Sequence, residues 1–136
     1  VAGKNVAIVF DQTYQLLSCS TLALVTSGTA TLETALLNVP QVVCYRGNIL
    51  SMLVAWVVIR VKYISLVNLN MQAEVVKELK QFDLTPENLY AEASKLLPGS
   101  PEREKMLTSY AQLQKQMGGS GASMRVGDKI VELISR

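Results

Sequence analysis

Histidine is absent from the 136 residues and cysteine occurs only twice, at Cys19 and Cys44. Without histidine the common zinc ligand sets and any Ser–His nucleophile pair are excluded, so no metal is expected, and the sequence reveals no cofactor. The two cysteines lie in or beside apolar runs with no CxxC spacing. They read as small buried thiols and suggest a reducing compartment. Lysine and arginine number 13 against 11 acids, and the two signs are interspersed to a net +2. That leaves no dense basic stripe and excludes nucleic acid as a partner. The longest apolar run, Ile49 to Ile59, is broken only by Ser51. As a helix it would reach roughly 16 Å, against a hydrocarbon core of about 30 Å, so it cannot span a bilayer. It reads as a buried helix, or as one resting on a membrane surface with Arg46, Arg60 and Lys62 at its flanks. No secretory signal pattern opens the chain.

What is present is a hydrophobic content of 49%, which excludes disorder. A chain of this length buries roughly two thirds of its unfolded surface, enough for one domain. It opens on Val1 and enters an apolar run almost at once. A fragment of a longer protein is therefore expected. Val6 to Phe10 (VAIVF) has the unbroken apolar character of a strand covered on both faces, and Leu22 to Val25, Val42 to Tyr45 and Tyr63 to Leu66 repeat it. Helix-sized segments lie between them at Thr13 to Ser18, Thr31 to Leu37 and Asn48 to Ile59. The alternation predicts an α/β fold, an open parallel sheet with flanking helices.

Beyond Leu66 the reading is helical. A helix is expected over Glu74 to Lys80, a second after the cap and first-turn pair Thr85-Pro86, and a third after Ser100-Pro101 with Met106, Tyr110, Leu113 and Met117 on one stripe. Ala122 to Ile134 completes the series, with Val126, Ile130, Leu133 and Ile134 facing inward. The whole chain, 1–136, is thus one partial domain with a helical tail from about residue 85.

The segment Val25 to Glu33, VTSGTATLE, carries the first candidate chemistry. Ser27, Gly28 and Thr29 stand between a strand and a helix, where small residues bring backbone N–H groups close to an anion and the helix dipole adds about half a positive charge. In open parallel sheets ligands bind outside the carboxyl ends of strands. A phosphate site and a plain capped turn both fit, since the pattern is neither a Walker loop nor GxGxxG. Glu33, one turn into the helix, suits either a sugar hydroxyl or the dipole. A second cluster comprises Ser65 and Asn68 with Glu74, Glu78 and Gln81, the last three on one face of the expected helix. It could reach a ligand or be a solvated face alternating with Lys77 and Lys80.

The runs SGTATLETALLNVPQVVCYR (Ser27 to Arg46), VKYISLVNL (Val61 to Leu69) and EVVKELKQ (Glu74 to Gln81), followed by ENLYAEASKLL, REKM and GGSGAS in order, resemble the carboxyl-terminal part of the lipid-A-disaccharide synthases. That family belongs to the two-domain GT-B glycosyltransferases. The resemblance implies a partial Rossmann-like, nucleotide-sugar-binding domain that holds the UDP of UDP-2,3-diacylglucosamine. Ser27, Gly28 and Thr29 would meet the diphosphate and Glu33 the ribose hydroxyls, while Asn68 and Gln81 match donor-side polar positions without an assigned role. The implied reaction transfers diacylglucosamine to the 6-hydroxyl of 2,3-diacylglucosamine 1-phosphate, releasing UDP. No catalytic residue is expected here, because the base would lie on the amino-terminal domain. The family also implies a cytoplasmic location, peripheral to the inner membrane of Gram-negative bacteria, and a homodimer.

Two departures from the family pattern stand out. Ala73 occupies a place that is usually basic before Glu74, which removes a cation that would neutralise phosphate. LLPGSPERE, Leu96 to Glu104, imitates a PGSR loop but has Pro101 in place of the arginine and reads as a capped linker. Two other functions fit less well. A non-catalytic membrane-surface or dimerisation module is suggested by Ile49 to Ile59 with Met52 and Trp56 one turn apart. A nucleotide-sugar epimerase of GT-B architecture would use acid–base residues, often histidine, which this chain lacks.

Overall fold

The computed structural model describes residues 6–47, 62–118, 130–131 and 133–134. Their order is α1 (Thr13–Ser18), β1 (Ala23–Thr26), α2 (Thr29–Leu36), β2 (Gln41–Tyr45), α3 (Leu66–Met71), β3 (Lys77–Lys80), a 3-10 turn (Gln81–Asp83), α4 (Pro86–Ser94) and α5 (Pro101–Gln116). The strands form an open sheet in the order β1-β2-β3, both pairings parallel. Ala23 lies opposite Gln41, Val43 opposite Glu78, and Tyr45 opposite Lys80. Parallel direction sets the carboxyl ends of all three strands, at Thr26, Tyr45 and Lys80, along one edge. The β1–α2–β2 unit follows from its residues: Val25 and β2's Val42 and Val43 fill the interior, and Thr31, Thr34 and Ala35 give α2 a small, tightly packed inner face.

Between residues 62 and 80 the expected helix and strand change places. Tyr63 to Leu66 is not a strand; it is an irregular segment leading into α3, where the Ser65 hydroxyl accepts the Asn68 N–H at 3.3 Å as an N-cap. Glu74 to Lys80 is not a helix, because Lys77–Lys80 is β3. The central strand β2 is buried and needs a ladder partner on each side, and that requirement overrides the weak strand propensity of Lys-Glu-Leu-Lys. Glu74, Glu78 and Gln81 therefore share no helical face.

The segment Val6 to Phe10 forms no strand, and Val6, Ile8 and Phe10 are more than 70% exposed. An apolar run becomes a strand only where a sheet edge receives it, and β1 pairs only with β2 among the described residues. Cys19, at the C-cap of α1, is exposed rather than buried, and Cys44 is half-buried. The expected helix at Asn48 to Ile59 lies outside the described residues, as does Val126. Ile130, Leu133 and Ile134 are helical but exposed, since no described element covers them.

The two proline-started helices form as expected. Thr85 Oγ1 accepts from Asn88 N–H at 3.2 Å and Ser100 Oγ from Arg103 N–H at 3.3 Å. From α5, Met106, Tyr110 and Leu113 join Ala35, Val42, Val43, Val67, Val76 and Leu79 in one core, whereas Met117, the C-cap, is exposed. Arg103 Nη1 donates to Thr21 O at 2.7 Å and to Leu96 O at 3.0 Å, tying α5 to the entrance of β1.

Candidate functional site

At the end of β1 the chain turns through Ser27 and Gly28 into α2. Gly28 has φ +141 and ψ −163, a conformation that a Cβ-bearing residue strongly resists, and its α-carbon faces open space with nothing within 4 Å of where a Cβ would stand. The glycine is needed for the backbone path and leaves the approach to the helix start clear. Thr31 N–H and Thr31 Oγ1 both donate to Gly28 O, at 3.2 and 2.8 Å, which fixes the turn. The N–H groups of Thr29 and Ala30 meet no acceptor among the described residues. They belong to the first turn, where the helix supplies no partner and the dipole favours an anion.

Ser27 is half-buried, and its hydroxyl donates to Ile64 O at 3.0 Å, so it clips the loop to the segment before α3. Glu33 is half-buried one turn further along α2, with no side-chain partner among the described residues. Gln81 follows β3 with φ +47, and its Nε2 donates to Gly47 O at 2.9 Å, linking the carboxyl ends of β3 and β2. A Cβ at Gly47 would lie 2.7 Å from Tyr45 Oη, so a side chain there would require the Tyr45 ring to move. Topology thus places Ser27, Gly28, Thr29 and Gln81 along one edge of the sheet, with Glu33 one turn below.

Asn68 sits apart from them. It is fully buried on α3, and its amide is spent on the protein: Nδ2 donates to Val76 O at 2.8 Å and to Glu78 Oε1 at 2.9 Å, while Oδ1 accepts from Val75 and Val76 N–H at 2.8 and 2.9 Å. Its work here is to lock α3 to the start of β3. Ala73 lies at that same amino-terminal end of β3, with the length of the strand between it and the loop after β1. A cation at position 73 would therefore stand at the wrong end of the sheet to neutralise a phosphate at Gly28.

Glu78 was legible only as a helix-face acid, yet it is the most heavily bonded side chain in the region. Its carboxylate accepts from Ile64 N–H at 3.1 Å, Ser65 N–H at 2.9 Å and Asn68 Nδ2, and pairs with Lys80 Nζ at 2.7 Å. Burial pushes its pKa up, but the Lys80 ammonium and the N–H donors of Ser65 and Ile64 outweigh that and hold it below the ordinary carboxylate value. A lowered native pKa stabilises the fold above the unfolded value of about 4.3, and the contribution is lost as pH falls through the native one. Urea midpoints of wild type and Glu78→Gln should accordingly differ most near neutral pH and draw together on acidification. A constant gap down to about pH 3 would contradict this.

Two cavities are present near β3. One of about 460 Å³ is framed by Lys77, Glu92, Lys95, Glu102 and Lys105 over Leu96 and Met106. It is the larger, but it opens by the amino-terminal end of β3, away from the loop after β1. The second, about 270 Å³, lies over Asn68, Glu78 and Lys80 beside Lys62 and Tyr63. Among the described residues no cluster of acids and cysteines could hold a metal ion.

A family model described as lipid-A-disaccharide synthetase matches residues 3–126. Curated relatives carrying the name lipid-A-disaccharide synthase include one from Myxococcus xanthus (strain DK1622), 34% identical over 98% of this chain and 35% of its own length. One from Gloeothece citriformis (strain PCC 7424) is 36% identical over 97% of this chain and 35% of its own length. A third, from Psychromonas ingrahamii, is 39% identical over 79% of this chain and 28% of its own length. The chain thus spans about a third of the length of these relatives.

Proposed function

We propose that this chain, which belongs to the lipid-A-disaccharide synthetase family, is the nucleotide-sugar-binding part of a glycosyltransferase of lipid A synthesis. In this reading Ser27, Gly28 and Thr29 receive the diphosphate of UDP-2,3-diacylglucosamine, and Glu33 accepts hydrogen bonds from the ribose hydroxyls. Gln81 borders the same edge, and Asn68 holds the frame beneath it. The observation that carries the reading is the turn at Gly28: free N–H groups of Thr29 and Ala30, an unobstructed approach, and a position outside the carboxyl end of a parallel strand.

The transfer makes a bond from the acceptor's 6-hydroxyl oxygen to the anomeric carbon and breaks the bond from that carbon to UDP. Negative charge grows on the departing diphosphate, and the start of α2 is oriented to stabilise it. The proton of the acceptor hydroxyl needs a base. In this reading that base, and the pocket for 2,3-diacylglucosamine 1-phosphate, lie in the part of the relatives' length that this chain does not span. Acylated substrates favour a cytoplasmic protein peripheral to the inner membrane, and among the described residues no helix is long and apolar enough to cross one.

Titration of the chain with UDP, followed by calorimetry or amide chemical shifts, tests the reading. Saturable binding is expected, and Glu33→Ala should weaken it about tenfold or more, the worth of one or two hydrogen bonds to a charged group. Among the described residues the Glu33 carboxylate has no partner to lose, so the variant should fold as wild type does. Equal affinity in the two proteins would remove Glu33 from the site. An absence of binding at millimolar UDP would favour a non-catalytic surface or dimerisation module.

A further inference from the structure

We propose that Glu78 is a positioning residue for the nucleotide loop, acting through a single peptide plane to hold the Ser27 hydroxyl at the base of the turn. The proposal rests on the nucleotide-site reading above. Its geometric core is the amide between Ile64 and Ser65. At one end of that planar unit the Ser65 N–H donates to Glu78 Oε1 at 2.9 Å. At the other, Ile64 O accepts the Ser27 hydroxyl at 3.0 Å. A trans amide is rigid, so a grip on its N–H fixes the direction of its carbonyl.

The grip is doubled. Glu78 also accepts the preceding N–H, that of Ile64, at 3.1 Å to each oxygen, so neither plane can turn without breaking a bond to the carboxylate. Residues 62–65 form no strand or helix with which to satisfy these donors. A carboxylate suits this task because it offers acceptors only and forms shorter, stronger bonds than a neutral group. Donation by Ser65 N–H to a charged oxygen also polarises the amide and strengthens Ile64 O as an acceptor. Lys80 Nζ, at 2.7 Å, and Asn68 Nδ2, at 2.9 Å, hold the carboxylate itself in place. The relay thus runs from β3, past the central strand, to the loop that follows β1.

Glutamine at position 78 keeps the shape but replaces Oε2, the acceptor of Lys80 Nζ and of one branch of the Ile64 N–H bond, with a donor. In the ligand-free full chain, Glu78→Gln should shift the amide signals of Ile64 and Ser65 directly and those of Ser27, Gly28 and Thr29 through the relay. The UDP dissociation constant should rise about tenfold, the cost of loosening one charge-assisted contact. Ser27→Ala cuts the relay at its far end, and Glu78→Gln added to it should weaken UDP binding little further, as expected for coupled positions. Leu79→Ala, a core truncation on the same strand, controls for lost stability and should leave UDP affinity and the Gly28 amide unchanged in folded protein. If Glu78→Gln proves too unstable, Lys80→Met removes the counter-ion, together with the donation of Lys80 Nζ to Lys62 O at 3.4 Å, and should move the same loop amides.

Unmoved loop amides with unchanged UDP affinity in folded Glu78→Gln would overturn the proposal. So would fully additive effects of Ser27→Ala and Glu78→Gln, or an equal loss of affinity in Leu79→Ala. If wild type fails to bind UDP, the nucleotide reading falls with the role given to the loop. The ligand-free amide shifts then still decide whether Glu78 controls the conformation of Ser27.

Discussion

Asn68→Leu is expected to cost about 4 kcal/mol or more of folding stability, a large part of the roughly 5–15 kcal/mol that holds a domain together. Leucine has the branched shape of asparagine and is the larger, so no cavity forms and the loss comes from stranded polar groups, with some crowding. The substitution strands Val76 N–H and Val76 O, leaves Val75 N–H only its bond to Ala73 O at 3.0 Å, and takes one donor from Glu78, all at the junction of α3 and β3. Each buried polar group left without a partner costs about 1–3 kcal/mol, and partial relaxation keeps the total below a simple sum. Asn68→Asp should behave differently. It sets a second carboxylate against Glu78, 2.9 Å from the present amide nitrogen, and like charges at that distance resist joint ionisation. The aspartate variant should therefore be least stable near neutral pH and recover partly on acidification, while the leucine variant should show no such recovery. Urea denaturation of both across pH distinguishes a charge effect from a packing effect. Identical pH profiles would show that repulsion from Glu78 adds nothing in the aspartate variant, and a loss well under 4 kcal/mol in the leucine variant would show that the amide's contacts contribute little.

Tyr110→Ala should destabilise by about 3–5 kcal/mol, the usual cost of emptying a fully buried aromatic site. Tyr110 joins α5 to the first residue of β2, since its hydroxyl accepts from Gln41 Nε2 at 3.2 Å. Tyr110→Phe should cost only about 1 kcal/mol or less, because Gln41 Nε2 keeps its bond to Thr31 O at 2.8 Å. Ring volume, not the hydroxyl, is what α5 contributes there. Burial pushes the Tyr110 phenol well above its ordinary range, beyond what the Gln41 contact takes back. In an alkaline absorbance titration of the five tyrosines, one should ionise only as the protein unfolds. Early titration of all five, or comparable losses in the alanine and phenylalanine variants, would contradict this account.

Local signals were sufficient where local physics decided the outcome. Thr13–Ser18 is helical to the residue, Val42 to Tyr45 lies in β2, and the Thr85-Pro86 and Ser100-Pro101 pairs start α4 and α5. Their cues, hydroxyl caps with first-turn prolines and a β-branched run, act within a few residues. The exchange of helix and strand between residues 62 and 80 has a non-local cause. Tyr-Ile-Ser-Leu looks like a strand until Ser65 is seen to cap α3, with Asn68 at the third helical position in place of the glutamate or glutamine of a capping box. Lys-Glu-Leu-Lys looks solvent-loving until β2 requires a neighbour. The loop residues Ser27, Gly28 and Thr29 were legible because glycine between a strand and a helix has a local geometric meaning. Glu78 was not, since nothing in a charge-rich tetrapeptide distinguishes a carboxylate that bonds two distant amides; the β-branched pair Val75-Val76 was the available hint of a strand.

The bridge from Arg103 to Thr21 O has a consequence for the order of folding events. The two residues are 82 positions apart, and the same helix supplies Met106, Tyr110 and Leu113 to the interior. The strand pairings alone span far fewer residues, whereas α5 packs on α2 and α3 and completes the core they share. Closure across so long a stretch of chain is slow, so the core around Val67 and Val76 stays incomplete until α5 docks. Docking of α5, rather than pairing of the strands, is therefore expected to come last in folding.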